Sequence, residues 1–239
     1  MAEPFEGYTG RGVKIAIIDS GVNPAHPHVA GVAGGIRISP SGESSSDYLD
    51  FSGHGTAVAG AIREKAPDAL LYAVKVFDRQ LTTTIETIIR AIEWAVAENM
   101  SVINLSLGTN NSGHKEKLQR VVESAVRNDI AIVSARRMPE SGQPLLPGCF
   151  PEVIGVGLDW ECPRDAFRVV ESDGERLFLA SGYPRDIPGV PRERNFSGIS
   201  FAVASLAGFV ARAVEKNPGV GIQCLKRSLD LEQPSARPA

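Results

Sequence analysis

Asp19, His54 and Ser200 are the residues of this chain whose types could act together on an acyl group. A serine hydroxyl attacks a carbonyl carbon only when a base takes its proton. An imidazole serves as that base when a carboxylate holds its other nitrogen in the right tautomer and stabilises the cation that forms. Singly, each residue reads more simply. Asp19 follows an apolar run and could be a turn residue, and His54 between two glycines could belong to a loop. Ser200 alone reads as an ordinary N-cap. Together they supply an acid, a base and a nucleophile, each in a setting that presents it.

The flanking residues describe those settings. Val13 to Ile18 is a short, nearly continuous apolar run, which predicts a buried parallel strand delivering Asp19 at its carboxyl end. Gly53-His54-Gly55-Thr56 opens a predicted helix of small residues, Ala57 to Ile62. Gly198-Ile199-Ser200 leads into a second predicted helix, with Val203, Leu206, Ala207, Val210 and Val214 on one face. At such a helix start the unpaired N–H groups and the positive dipole end favour negative charge on the serine oxygen.

Further predicted strands cover Leu70 to Val76, Val102 to Leu105, Ile130 to Val133, Val153 to Gly157 and Arg176 to Ala180. Apolar stripes at 85, 88, 89, 92 and 96, and at 118, 121, 122, 125 and 126, predict two amphipathic helices between them. Residues 23 to 53 are rich in Pro, Gly and Ser, and 39 to 46 read as loop. This alternation implies an α/β fold, a three-layer α/β/α sandwich around a mainly parallel sheet, with any ligand at the carboxyl ends of the strands.

Composition narrows the possible partners. With 43% hydrophobic residues in 239, one large core is expected over residues 1–231, and 232–239 reads as a disordered tail. A net charge of −3 without blocks of one sign argues against nucleic acid and anionic membrane as partners. Cys149, Cys162 and Cys224 are odd in number and lack metal-ligand spacing, so they read as free thiols in a reducing, cytoplasmic setting. No cofactor or metal is expected. Asp47, Asp50 and Asp78 could be cation ligands but read as solvated loop carboxylates.

The stretches 17–22 (IIDSGV), 53–60 (GHGTAVAG) and 198–202 (GISFA) resemble the three signature motifs of subtilisin-like serine peptidases, and 104–108 (NLSLG) resembles the family's substrate-binding strand. The resemblance runs from about Gly12 to Ala213, and the Asp–His–Ser order is subtilisin's own. It implies a serine endopeptidase of a compact intracellular type without a prodomain, with a cytoplasmic processing role on a precursor peptide as one expectation. Asp19 would orient His54, and Ser200 would be the nucleophile. Ser106, Leu107, Gly108, Ala135 and Arg136 would bind an extended peptide or protein substrate.

The chain departs from the family at the oxyanion site. Where the family has Ala-Ala-Gly-Asn, residues 134–137 read Ser-Ala-Arg-Arg. Arg137 therefore stands at the position of the oxyanion asparagine, and Arg136 at a glycine position. Ile199, Phe201 and Ala204 replace the usual threonine, methionine and proline. These departures support a second expectation, an attenuated or inactive relative that binds peptides without cutting them.

Overall fold

The computed structural model describes residues 3–77, 82–172 and 174–232. Asp78 and residues 233–239 of the expected tail lie outside the described residues, whereas Glu232, its expected first residue, ends a helix. Among the described residues nine strands form one sheet. They are β1 (Lys14–Asp19), β2 (Gly34–Ile38), β3 (Ser44–Ser45), β4 (Leu70–Lys75), β5 (Val102–Leu105), β6 (Ala131–Ala135), β7 (Ile154–Leu158), β8 (Phe167–Ser172) and β9 (Glu175–Ala180). Their order is β3-β2-β4-β1-β5-β6-β7-β9-β8. The interior pairs are parallel, and only β3 and β8, at the two edges, run antiparallel to their neighbours.

Among the described residues five α-helices cover the faces: α1 (His54–Lys65), α2 (Ile85–Ala97), α3 (Lys115–Arg127), α4 (Ile199–Lys216) and α5 (Ile222–Glu232). Alternate residues along each central strand point to opposite layers, as the pleat requires. Ile15 and Ile17 pack with α1 and α4 in one core, which also takes Leu225 and Leu229 of α5. Ala16 and Ile18 pack with α2 and α3 in the other. The three-layer α/β/α sandwich expected from the alternation is the fold observed.

The helix carrying Ser200 is buried all round. From Phe201 to Ala213 every residue of α4 is buried, because the sheet lies against one side while α1 and α5 close the others. Each fully buried Val, Leu or Phe of such a helix contributes about 1.5–3 kcal/mol. At its far end Glu215 accepts the backbone N–H groups of Thr9, Gly10 and Arg11 at 2.8, 2.6 and 3.1 Å, which ties the N-terminal turn to the helix.

Four elements differ from the sequence expectation: β2 and β3 lie within the Pro-, Gly- and Ser-rich stretch 23–53, and the patterning does not mark α5 or the edge strand β8. The three cysteines are unpaired: Cys162 is buried, Cys149 half-buried and Cys224 exposed, and burial pushes the Cys162 thiol up to about 11. Among the described residues no helix is long and apolar enough to cross a membrane.

Candidate active site

β1 is the strand at which the order reverses, with β4 on one side and β5 on the other, so a crevice forms at its carboxyl end. Asp19 ends β1, Ser106 follows the end of β5, and Arg136 and Arg137 follow the end of β6. α1 and α4 start at the same rim with His54 and just before Ser200. Gly198, at φ 137°, makes the backbone turn that launches α4. Its N–H donates to the Gly182 carbonyl at 2.8 Å.

The Asp19 carboxylate is 99% buried, and its Oδ1 accepts from His54 Nδ1 at 2.7 Å and from the Ser20 N–H at 2.7 Å. A carboxylate can only accept, so Nδ1 carries the proton and the lone pair is left on Nε2. The imidazole stands between two rings, with Phe196 edge-on at 6.0 Å and Phe201 tilted at 5.6 Å. Burial, the largest influence, pulls the His54 pKa down. The hydrogen bond and charge of Asp19, with the charge of Asp50, outweigh it and leave the pKa above its ordinary 6.5.

Ser200 Oγ donates to the Ser106 carbonyl at 3.3 Å, and Ser106 Oγ donates to the Ser200 carbonyl at 3.3 Å. Asn104 Nδ2 donates to Ser106 Oγ at 2.9 Å, holding that hydroxyl in place. Among the described residues no hydrogen bond joins Ser200 Oγ to His54. A catalytic hydrogen bond commonly tightens only when substrate is bound.

A second layer around His54 was not legible beforehand. Asp50 accepts the N–H groups of Ser52, Gly53 and Thr56 and the hydroxyls of Ser20 and Thr56, at 2.6–3.0 Å. Burial raises its pKa, but these donors, the Thr56 hydroxyl first, leave it lowered. Asp50 is therefore no solvated loop carboxylate; it caps the start of α1 and neutralises the unpaired N–H groups there. Lys75, 2% exposed and paired in register with Asp19, holds this loop from below. Its Nζ donates to the Leu49 carbonyl at 2.7 Å and lies 4.5 Å from the Phe51 ring centre. No group of three His, Cys, Asp or Glu side chains among the described residues is placed to hold a metal.

The remaining predicted residues line the other side of the crevice. Ser106 and Leu107 are half-buried and Gly108 is exposed. Ala135 is buried at the end of β6. Beyond it the chain folds back as a hairpin. Arg137 bridges to Pro144, and Met138 N–H donates to Gln143 O at 2.9 Å. Arg137 Nη1 donates to the Gly142 carbonyl at 3.1 Å, within that hairpin. Arg136 is buried at 8% exposure.

A three-layer parallel α/β domain with a buried Asp–His pair opposite a helix-start serine defines a class of protein on its own. The profile of the Subtilase family matches residues 10–229, and this chain belongs to that family. Subtilisin NAT of Bacillus subtilis subsp. natto is 35% identical over 227 residues, covering 89% of this chain and 58% of that protein. Subtilisin of Bacillus pumilus is 34% identical over 237 residues, covering 89% and 80%. An intracellular serine protease of Paenibacillus polymyxa is 32% identical over 224 residues, covering 84% and 66%. This chain thus spans 58% of the length of the first curated relatives it matches. A solved cold-adapted subtilisin-like serine proteinase superposes with a TM-score of 0.72 at 22% identity, covering 94% of this chain and 83% of that one, which speaks to the fold.

Proposed function

We propose that this protein is a serine endopeptidase that uses Asp19, His54 and Ser200 to cut peptide bonds through an acyl-enzyme. The single observation that carries the reading is the buried 2.7 Å bond between His54 Nδ1 and Asp19, on the rim where α4 begins with Ser200. A stable α/β fold does not require a buried carboxylate–imidazole pair there.

In the proposed reaction the Ser200 hydroxyl turns from the Ser106 carbonyl to His54 Nε2. As Oγ bonds to the substrate carbonyl carbon, its proton passes to Nε2 and the carbonyl electrons move onto oxygen. Asp19 stabilises the imidazolium. The oxyanion faces the start of α4, where the Ser200 N–H has no partner within the helix. Collapse of the adduct breaks the C–N bond, and the imidazolium gives its proton to the leaving amine. Water then attacks the acyl group, with His54 again as base. An extended peptide along Ser106–Gly108 would pair backbone to backbone, as an added strand. A precursor peptide in a cytoplasmic setting remains the proposed physiological substrate, and three unpaired cysteines fit that setting.

One observation favours a second reading, a peptide-binding relative with little turnover. The Arg137 guanidinium donates into its own hairpin at Gly142. The two readings part on a phosphonate probe directed at serine nucleophiles. The proposed peptidase takes up one equivalent, mapped to Ser200 and absent from Ser200→Ala and His54→Ala. Binding of peptides without any labelling of Ser200 would decide for the second reading.

The raised His54 pKa sets the pH dependence. Only neutral His54 is a base, so kcat/KM should rise with unit slope through a midpoint above 6.5. The sign for stability is opposite. The charged pair with Asp19 adds stability that is complete below the unfolded value near 6.5, and it is lost as pH rises through the higher folded pKa. The active form is thus the less stabilised one. A midpoint below 6.5 would mean that burial, and not Asp19, governs the imidazole.

A further inference from the structure

Beyond Leu105 and Ser134 the ladder between β5 and β6 ends, and the two chains separate toward the rim. The Arg136 N–H turns to Val156 O at 2.9 Å, and its carbonyl accepts from Leu145 N at 2.9 Å. Neither group bonds across to residues 106–108. Across this gap the Ser134 hydroxyl donates to Leu107 O at 3.4 Å, and Leu145–Leu146 close its far end, with Leu145 N–H on Arg136 O and Leu146 paired with Thr109. The result is a slot without backbone pairing between Ser106–Gly108 and Ala135–Arg137. Ser200 Oγ, bonded to Ser106 O, stands at its mouth.

Arg136 belongs to one wall of this slot. Along β6, Val133 and Ala135 face the α4 layer, whereas Ile132 faces the opposite core. The alternation therefore sends Arg136 away from α4, to the deep side of the slot. Its stem passes Gly155 of β7: a Cβ built there would lie 3.2 Å from Arg136 Cβ and 3.3 Å from Cδ. The side chain is more than nine-tenths buried, and its Nε has no hydrogen-bond partner. Among the described residues it makes no ion pair or side-chain hydrogen bond. That is unusual for this residue type. A guanidinium stays charged at any ordinary pH, and burying it without a counter-ion is strongly unfavourable.

We infer that Arg136 selects the substrate: the slot receives the side chain on the acyl side of the cut bond, and the buried guanidinium makes an acidic residue, glutamate or aspartate, the preferred occupant there. The inference rests on the peptidase reading of the same site. A carboxylate entering between the walls supplies the missing counter-ion and can engage the guanidinium fork with both oxygens. An amide of the same shape supplies one weak acceptor and no charge, and it places an NH₂ against a cation. A basic side chain meets direct repulsion. Selection follows from the difference between these pairings and needs no movement of the triad.

The test uses two fluorogenic peptides identical except for glutamate or glutamine before the cut bond. The intact protein should prefer glutamate by about 10- to 100-fold in kcat/KM, the size expected when a buried charged partner is satisfied or left alone. Arg136→Gln should bring the ratio near one, Arg136→Lys should keep its sign at reduced size, and Arg136→Glu should reverse it. Phosphonate labelling of Ser200 in each variant checks that the site is intact. Equal cleavage of both peptides by the intact protein overturns this inference and leaves the peptidase reading standing. If neither peptide is cut, fluorescence anisotropy with Ser200→Ala reads the slot directly. Tighter binding of a peptide ending in glutamate than one ending in glutamine, abolished by Arg136→Gln, sustains the role of Arg136. Equal binding sinks it.

Discussion

Ser200→Ala is expected to lower kcat by about 10⁶-fold on a peptide substrate, with His54→Ala close behind and the double variant no worse than either single one. That size is set by subtilisin, a relative by family. The non-additivity follows from the mechanism. Without the hydroxyl there is nothing for the imidazole to deprotonate, and without the imidazole the hydroxyl keeps its proton. Asp19→Asn should fall less far, by about 10⁴-fold, because an amide can hold His54 only in the wrong tautomer. Folding should survive in all three. Ser200 Oγ makes one 3.3 Å hydrogen bond, and His54 sits at the rim with 15% of its side chain exposed. Purified variants with matched melting curves give the measurement. A Ser200→Ala protein retaining a tenth of the activity would remove Ser200 from the mechanism.

The three residues at the centre of that prediction were legible in the sequence because the chemistry demands those types, in settings that hydrophobic patterning exposes. An apolar run of strand length ending in Asp19 can hardly be anything but a buried strand delivering a carboxylate. Small residues after His54 and Ser200 announce helices that must pack closely, and α1 and α4 do pack against one another. The periodic helices α2 and α3 were legible for the same reason. What escaped notice depends on contacts that no local pattern records. Gly34 and Gly35 look like loop residues, yet they lie on β2. A Cβ on Gly35 would come within 2.4 Å of Ala73 O and 2.8 Å of the Tyr48 ring, so the glycine answers to a tertiary neighbour. Helix α5 has only two buried apolar side chains, Leu225 and Leu229, beside the buried Lys226, too short a stripe to stand out in a polar sequence. Asp50 looked like a solvated carboxylate because its partners are mostly backbone N–H groups, and their direction follows only from the path of the loop.

The same dependence on close approach makes Gly55→Ala the sharpest probe of how the fold positions the site. Gly55 is the second residue of α1, directly after His54, and its N–H donates to Ser20 Oγ at 2.9 Å. A Cβ built there falls 2.1 Å from Gly21 O and 3.2 Å from both Cβ and Oδ1 of Asp19. The first of these is backbone and cannot swing aside. The chain around Gly21 is itself tightly packed, since a Cβ there would lie 2.4 Å from Tyr48 O. The start of α1 must therefore move off β1, carrying the His54 ring away from Asp19. Overpacking of this kind costs about 1–3 kcal/mol, or roughly 2–12 °C in Tm for a domain of this size. The catalytic loss should be disproportionate. A displacement near 1 Å between catalytic groups costs about 10²-fold, so kcat/KM should fall at least that far while most of the protein stays folded at 25 °C. The ascending limb of the pH profile should shift down at the same time, because a lengthened Asp19–His54 bond supports the imidazolium less. A variant that melts lower yet keeps full turnover and an unchanged midpoint would show that α1 can yield without moving His54. Proximity of Gly55 to Asp19 would then be a matter of packing alone.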